Sequence, residues 1–429
     1  MDSGERRFFR VCFKWLAKEY PEIALRNLIN VPEYGRWDDL YSITYANVDV
    51  ATEAFKIMKN QLELDRESLE RGSNEGVSLL AKWLKSENAS SKETKELAEI
   101  TRKAFHLSHK EYRKILSALR SRINIVEKLM SEGKWERIQY AKLPSRAGLI
   151  YRNAFARRDA ERYNEFINSK ETKVNAITLY PYDIAHKAFN CDDNLTDRAV
   201  IQKYWDNLPN YYGDNEENGI AIVDVSGSMR GRPMEAAVSL GAYIAEKAHG
   251  PFANHFITFS DNPQLVKFEG VDIVDKFNRT VRADWGRSTN IEATFDMLLD
   301  IAKREDVKSE DIPTRLYIFS DMEFNMAMSD NSAERGWWYD PHCNLRSEEA
   351  VETLLEKIER KWAAAGYQLP KVIFWNLDAR QNNIPALGEK FSHVSGLSPV
   401  LVETILSGKT GIDLMIEKLV ESGRYDIIK

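Results

Sequence analysis

One stretch decides the expected fold of the second half of the chain: IAIVDVSGS, residues 220–228. Its four apolar residues predict a short buried strand, and the turn after the strand presents one carboxylate and two hydroxyls. A helical pattern begins near Pro233. Hard oxygen groups placed between a strand and a helix suit a small divalent cation such as Mg²⁺.

Two later segments carry oxygen ligands in a similar position. Thr289 lies in GRSTN, residues 286–290, at the start of a predicted helix, and Asp321 follows the apolar run LYIFS, residues 316–320. The carboxyl ends of parallel strands meet at one edge of a sheet, where such sheets bind ligands. The alternative for each piece alone is a helix N-cap, since Asp and Ser are common there. The candidate metal ligands are Asp224, Ser226, Ser228, Thr289 and Asp321.

This set of residues resembles the metal-ion-dependent adhesion site of the von Willebrand factor A domain. The resemblance implies that Ser226, Ser228 and Thr289 coordinate Mg²⁺ or Mn²⁺, and that Asp224 and Asp321 hold coordinated waters. It also implies that one metal position is left for an acidic group of a partner.

Beyond a polar stretch near residue 215, strands and helices alternate. This order predicts a doubly wound, Rossmann-like α/β domain over residues 215–429, with parallel pairing of the strands. Strands are predicted at 219–224, 255–260, 264–268, 314–321, 371–377 and 391–395, and helices at 233–248, 290–304, 347–364, 398–407 and 411–422. An insertion at 325–346 carries Trp337, Trp338 and Tyr339. We expect these aromatic residues either to stack on bases or fill a partner's pocket at the metal rim, or to fill the domain junction.

Residues 1–214 are predicted to form an all-helical module, because apolar residues recur there at steps of three and four. From Lys110 to Met130 this spacing marks a buried face, and the basic residues fall largely off it. Further helices are predicted at 6–19, 21–30, 49–70, 75–86, 91–107, 146–157 and 159–169. We expect stacked helical pairs, as in a HEAT-like solenoid.

The helical half carries a resemblance of its own. The segments WLA at 15–17, ALRNL at 24–28, YGRWDDL at 34–40 and LYPYDI at 179–184 resemble the helical module of TROVE-type proteins. Ro-type proteins join such a module to a von Willebrand A domain and bind small noncoding RNAs. The resemblance therefore implies RNA binding along a basic helical face.

Charge is unevenly distributed along the chain. The whole protein has a net charge of −6, yet residues 101–162 contain 16 basic and 6 acidic side chains. Such a segment is either a polyanion-binding face or a solvated helical surface. The candidate RNA contacts are Lys110, Arg113, Lys114, Arg120, Arg137, Arg146, Arg157 and Arg158.

Several classes of protein are excluded by composition. Three well-separated cysteines argue against a disulfide framework, and the seven histidines form no convincing metal-ligand spacing. The chain has no membrane-length apolar run or signal-peptide core, so we expect a cytoplasmic protein. The absence of a catalytic motif favours a noncatalytic, Ro-like RNA-binding scaffold with a Mg²⁺-dependent adhesion site. The alternative is a metal-dependent adaptor that captures an Asp or Glu of a partner protein and has no RNA role.

Overall fold

A computed structural model describes residues 6–72, 77–123, 125–191, 194–213, 215, 217–259, 262–282, 291–321, 357–378, 391–397, 399–409 and 411–428. The chain divides into two compact units. Unit 1 comprises Met1–Ile138 with Thr410–Lys429, and unit 2 comprises Gln139–Lys409. The domain boundary predicted from the sequence, near residue 214, falls inside unit 2.

Unit 1 is helical over its described residues. Its helices are α1 (Arg6–Glu19), α2 (Pro21–Asn27), α3 (Val31–Tyr34), α4 (Val48–Glu70), α5 (Leu80–Trp83), α6 (Lys92–Ala104), α7 (His109–Arg122) and α8 (Val126–Ser131). The carboxyl-terminal helix Gly411–Ile416 and the turn after it also belong to this unit. There the Tyr34 and Tyr425 rings lie 5.0 Å apart, which ties the end of the chain to α3.

The periodic segment from Lys110 to Met130 is two helices rather than one. Ile123 and Ile125 have extended backbone conformations between α7 and α8. The predicted buried face is largely confirmed, since Tyr112, Leu119 and Val126 are buried. The pattern of apolar residues thus identified the core positions but not the break between the helices.

Unit 2 begins with four helices, which are followed by an α/β region built around one sheet. The helices before the sheet are α9 (Ser145–Arg158), α10 (Ala160–Asn168), α11 (Pro181–Phe189) and α12 (Leu195–Asp206). Then follow β1 (Gly219–Val223), α13 (Arg232–Lys247), β2 (His255–Thr258), β3 (Leu265–Lys267), α14 (Ile273–Arg282), α15 (Ile291–Arg304), β4 (Arg315–Ser320), α16 (described over 357–364), β5 (Lys371–Asn376), β6 (Phe391–Ser395) and α17 (Pro399–Ser407). All six predicted strands are confirmed, whereas α11, α12 and α14 were not predicted.

The six strands form one mixed sheet in the order β3-β2-β1-β4-β5-β6. Five strands are parallel, and β3 pairs antiparallel with β2. The expectation of parallel pairing throughout was therefore wrong for β3. Only a short connection separates β2 from β3, and a parallel crossover needs a dozen or more residues.

Helices cover both faces of the sheet. On one face, Ile220 and Ile318 pack in a core with Phe295 of α15 and Trp362 of α16. On the other face α13 approaches β1 so closely that a Cβ at Gly241 would lie 2.5 Å from Val223 Cγ2. Both faces are apolar and buried, which accounts for the near-continuous hydrophobic runs of the central strands.

Helices α11 and α12 pack against α13 and α14 within unit 2. The Phe189 and Trp205 rings lie 5.8 and 5.3 Å from the Phe277 ring of α14. Arg198 also donates two hydrogen bonds of 2.7 Å to the Asp272 carboxylate. The last helices of the predicted helical module therefore share their core with the sheet.

Over the described ranges, none of the helices combines the length and the apolar character needed to cross a membrane.

Candidate metal-binding edge of the sheet

The candidate ligands Asp224 and Asp321 lie where the strand order reverses direction. Strands β1 and β4 are neighbours at the centre of the sheet, and Asp224 and Asp321 follow them directly. The backbone amide of Asp224 donates to the Phe319 carbonyl at 3.0 Å, so the pairing of the two strands extends to this acid. In open α/β sheets this crevice, outside the carboxyl ends of the central strands, is the usual ligand site.

The Asp224 carboxylate is fixed by hydrogen bonds to both oxygens. Oδ1 accepts the backbone N–H of Ser226 at 2.8 Å, and Oδ2 accepts the hydroxyl of Ser320 at 2.7 Å. Asp224 and Ser320 are 2% and 0% exposed. A buried carboxylate held on two sides has one orientation before any ligand arrives.

Two buried acids, Asp224 and Asp321, lie close together at the ends of β1 and β4. Burial raises the pKa of Asp224, the hydrogen bonds from Ser226 and Ser320 oppose that rise, and the negative charge of Asp321 adds to it. Asp321 is itself buried. Two adjacent carboxylates in a region of low dielectric repel each other, so a bound cation would stabilise both.

The two serine hydroxyls have the spacing expected of ligands to one small cation. Ser226 Oγ and Ser228 Oγ are 3.0 Å apart, in the turn that follows β1. Adjacent oxygens of an octahedral Mg²⁺ ion with bonds of about 2.1 Å are separated by about 3.0 Å. The two hydroxyls hydrogen-bond each other at this distance, which is also compatible with shared coordination of Mg²⁺ or Mn²⁺.

The described part of the chain contains no group of three or more His, Cys, Asp or Glu side chains placed to hold a metal ion. The acids that meet at this edge are Asp224 and Asp321, with the Ser226 amide and the Ser320 hydroxyl bonded to Asp224. Thr289 and the aromatic insertion at 325–346 lie outside the described residues.

Two polar residues at this edge, Ser320 and Asn376, were not predicted as site residues from the sequence. Ser320, the last residue of β4, bonds Asp224, and Asn376 ends β5 directly beside Ser320. Asn376 is buried, and its side-chain oxygen accepts the N–H of Asp378 at 3.0 Å. The only signal in the sequence is that each polar residue ends an apolar strand.

Five of the eight candidate RNA contacts lie in unit 1, where Lys110, Arg113, Lys114 and Arg137 are exposed. Arg120 has a different environment. Its guanidinium donates to the Ala81 carbonyl, the Ser86 hydroxyl and the Leu84 carbonyl at 2.8, 2.9 and 2.8 Å. Burial lowers the pKa of Arg120. This side chain joins α7 to the segment around α5.

The other three candidates, Arg146, Arg157 and Arg158, are exposed on α9 of unit 2. Arg157 and Arg158 occupy the last turn of that helix. Basic side chains are favourable at a helix carboxyl terminus whether or not a ligand binds, because they oppose the helix dipole. The proposed basic face is thus divided between the two units.

The fold and this edge define a helical protein with an α/β domain whose mixed sheet carries a candidate cation site. Comparison with known families gives two matches, each described as a domain of unknown function: DUF7788 over residues 218–425 and DUF2828 over residues 77–210. The first match begins next to β1 and contains every candidate metal ligand. The second spans the division between units 1 and 2.

The chain is also similar to an uncharacterized protein of Acanthamoeba polyphaga mimivirus. The two are 29% identical over 416 residues, which cover 88% of this chain and 69% of the viral protein.

Proposed function

We propose that the protein is a noncatalytic scaffold with a metal-ion-dependent adhesion site of the von Willebrand A type. In this proposal Mg²⁺ or Mn²⁺ at the sheet edge captures an Asp or Glu side chain of a partner protein. The single observation that carries the proposal is the meeting of two buried acids, Asp224 and Asp321, with two hydroxyls 3.0 Å apart at the centre of the sheet.

Each residue has a distinct part in this proposal. Ser226, Ser228 and Thr289 supply neutral hydroxyl ligands, while Asp224 and Asp321 hold coordinated waters and supply negative charge. Neutral ligands leave most of the cation's charge available to an incoming carboxylate. Ser320 keeps Asp224 in one orientation while the ligand binds.

The first test is thermal unfolding of the full chain with EDTA and then with increasing Mg²⁺. A ligand that binds only the folded state raises the unfolding temperature by mass action. We expect such a rise for the wild type and none for the double variant Ser226→Ala, Ser228→Ala. Ser309→Ala, an exposed serine elsewhere in unit 2, is the control. Identical Mg²⁺ responses of the wild type and the double variant would exclude the site.

The second test concerns the partner. The tagged chain is purified from its native host in Mg²⁺ and then washed with EDTA. We expect a discrete protein that EDTA releases and that the Ser226→Ala, Ser228→Ala variant fails to retain. Retention of the same proteins by the variant, or through the EDTA wash, would rule out metal-dependent capture.

RNA binding by unit 1 is a second candidate, favoured by one observation. Lys110, Arg113 and Lys114 are exposed on α7 beside a cleft of about 490 Å³, which Arg113 and Lys128 line together with Tyr112. Tyr112 is itself buried, so this cleft offers an RNA basic side chains for its phosphates rather than a ring on which a base could stack.

Salt and charge reversal test this candidate. RNA affinity that depends on phosphate contacts falls steeply with salt. We expect Arg113→Glu with Lys114→Glu to weaken binding and to flatten the salt dependence. The double variant Lys92→Glu, Lys95→Glu, at two exposed lysines of α6, controls for overall charge. Equal affinities of the two variants would exclude the α7 face.

A further inference from the structure

Unit 2 contains a second cleft, formed by α9, α11 and the first turn of α13. Its volume is about 610 Å³, which falls within the range of roughly 300–1,000 Å³ typical of small-molecule sites. No residue of the candidate metal edge lines it. The cleft is therefore a separate feature with its own chemistry.

Three cationic side chains line the cleft, one from each helix: Arg146 of α9, Lys187 of α11 and Arg232 of α13. Arg232 Nη2 donates a hydrogen bond of 2.7 Å to the Tyr182 hydroxyl, a neutral acceptor. An arginine held by a neutral group keeps its charge available for an anion.

The two acids of the cleft already have partners. Glu235 Oε1 lies 2.8 Å from His186 Nδ1. The Asp183 carboxylate accepts the Tyr180 N–H at 3.1 Å and thereby caps α11, and its Oδ2 lies 3.9 Å from Arg146 Nη2. Burial raises the pKa of Asp183, and the charges of Arg146 and Arg232 both oppose that rise. Arg146 of α9 and Arg232 of α13 therefore both influence the same carboxylate, that of Asp183.

An apolar wall completes the cleft. Leu149, Ile150 and Leu179 lie along it, together with the Tyr182 ring. Tyr182 stacks on Tyr180 with ring centroids 5.2 Å apart. This combination of an apolar wall and a cationic rim fits a ligand that has a flat or apolar body and an anionic group.

We propose that the cleft between α9, α11 and α13 binds a small organic phosphate, such as a mononucleotide. Arg146, Lys187 and Arg232 hold the phosphoryl group, and the body of the ligand lies against the apolar wall. A phosphate monoester carries up to two negative charges and accepts paired hydrogen bonds from guanidinium groups. The three cations outnumber the two acids of the cleft, Asp183 and Glu235, and together they offer a phosphoryl group more contacts than a single carboxylate could use.

Calorimetric titration of the full chain with adenosine monophosphate tests this proposal. EDTA is present throughout, so the outcome is independent of the metal edge. We expect saturable binding, with adenosine at least about tenfold weaker because it lacks the phosphoryl group. Inorganic phosphate in excess should displace the nucleotide.

Variants locate the binding in the cleft. We expect Arg232→Met and Lys187→Met each to weaken nucleotide binding about tenfold, because each removes one charged contact to the phosphate. Arg304→Met, an exposed arginine of α15 away from the cleft, should bind as the wild type does. Unfolding temperatures of all three variants establish that they are folded.

Three results would overturn the proposal: no binding of either the nucleotide or inorganic phosphate, equal binding of adenosine and its monophosphate, or unchanged affinity in both cleft variants.

Discussion

The hydroxyl of Ser320 donates a hydrogen bond of 2.7 Å to Asp224 Oδ2, across the two central strands of the sheet. It joins the last residue of β4 to the first residue after β1, and both side chains are fully enclosed. The candidate ligand Asp224 is therefore oriented by the neighbouring strand as well as by its own turn.

The Ser320→Ala variant removes this donor from a buried carboxylate. An unsatisfied buried polar group costs about 1–3 kcal/mol, and more when it is charged. We expect the free energy of unfolding in EDTA to fall by at least this amount, and Mg²⁺ affinity to fall with it. Urea unfolding measures the first effect and Mg²⁺ titration the second. With Ser309→Ala as control, an unchanged urea midpoint would show that the bond contributes nothing.

Arg113 and Arg120 lie on the same helix, but substitution by methionine should affect the stability of the protein at Arg120 and not at Arg113. Arg120→Met leaves the Ala81 and Leu84 carbonyls without their guanidinium donor, so we expect a loss of about 1–3 kcal/mol in the free energy of unfolding. Arg113 is exposed, so Arg113→Met should change stability by less than about 0.5 kcal/mol. If α7 binds RNA, only Arg113→Met weakens the affinity without loss of stability. Urea unfolding and RNA titration of both variants separate these effects.

The sequence predicted where β1 and β4 end, because an acidic residue follows the apolar run of each strand. Asp224 and Asp321 each follow an apolar run, and β1 and β4 pair in parallel, as expected. The side chain that fixes Asp224 could not be predicted, since Ser320 is 96 positions away in the chain. Contacts between distant segments leave no periodic signal.

The same limit applies to Arg120 of the predicted basic face. Arg120 is one cation among many in the sequence, and its acceptors at Ala81 and Leu84 lie 39 and 36 positions earlier. Charge patterning cannot distinguish a guanidinium that bonds backbone carbonyls from one that faces solvent. Burial of Tyr112 and Leu119, in contrast, followed directly from their spacing on α7.

A buried ion pair fastens α9 to α12 within unit 2. Arg152 donates to both oxygens of Asp197, and the two residues are 7% and 5% exposed. Arg152→Met leaves a buried negative charge, which costs about 3–5 kcal/mol. The double variant Arg152→Met, Asp197→Leu removes that charge as well, so we expect it to be more stable than the single variant. Urea unfolding compares the two, and a double variant less stable than the single one would contradict this account.

Alkaline pH should unfold the protein through its buried tyrosines. Burial raises the pKa of Tyr41, Tyr243 and Tyr317 from 10.0 to about 12. Between these values the unfolded chain loses phenol protons that the folded chain keeps. The unfolded state therefore binds fewer protons, and the free energy of unfolding falls as pH rises from about 10 to 12.

Absorbance of the phenolate, followed together with circular dichroism, measures this effect. We expect part of the phenolate signal to appear in the same transition that removes the helical signal. Tyr317→Phe takes one titrating group away, so the fall in unfolding free energy across this pH range should be shallower than in the wild type. If all of the phenolate forms near pH 10 while the helical signal is intact, the buried phenols do not oppose ionisation and the linkage is absent.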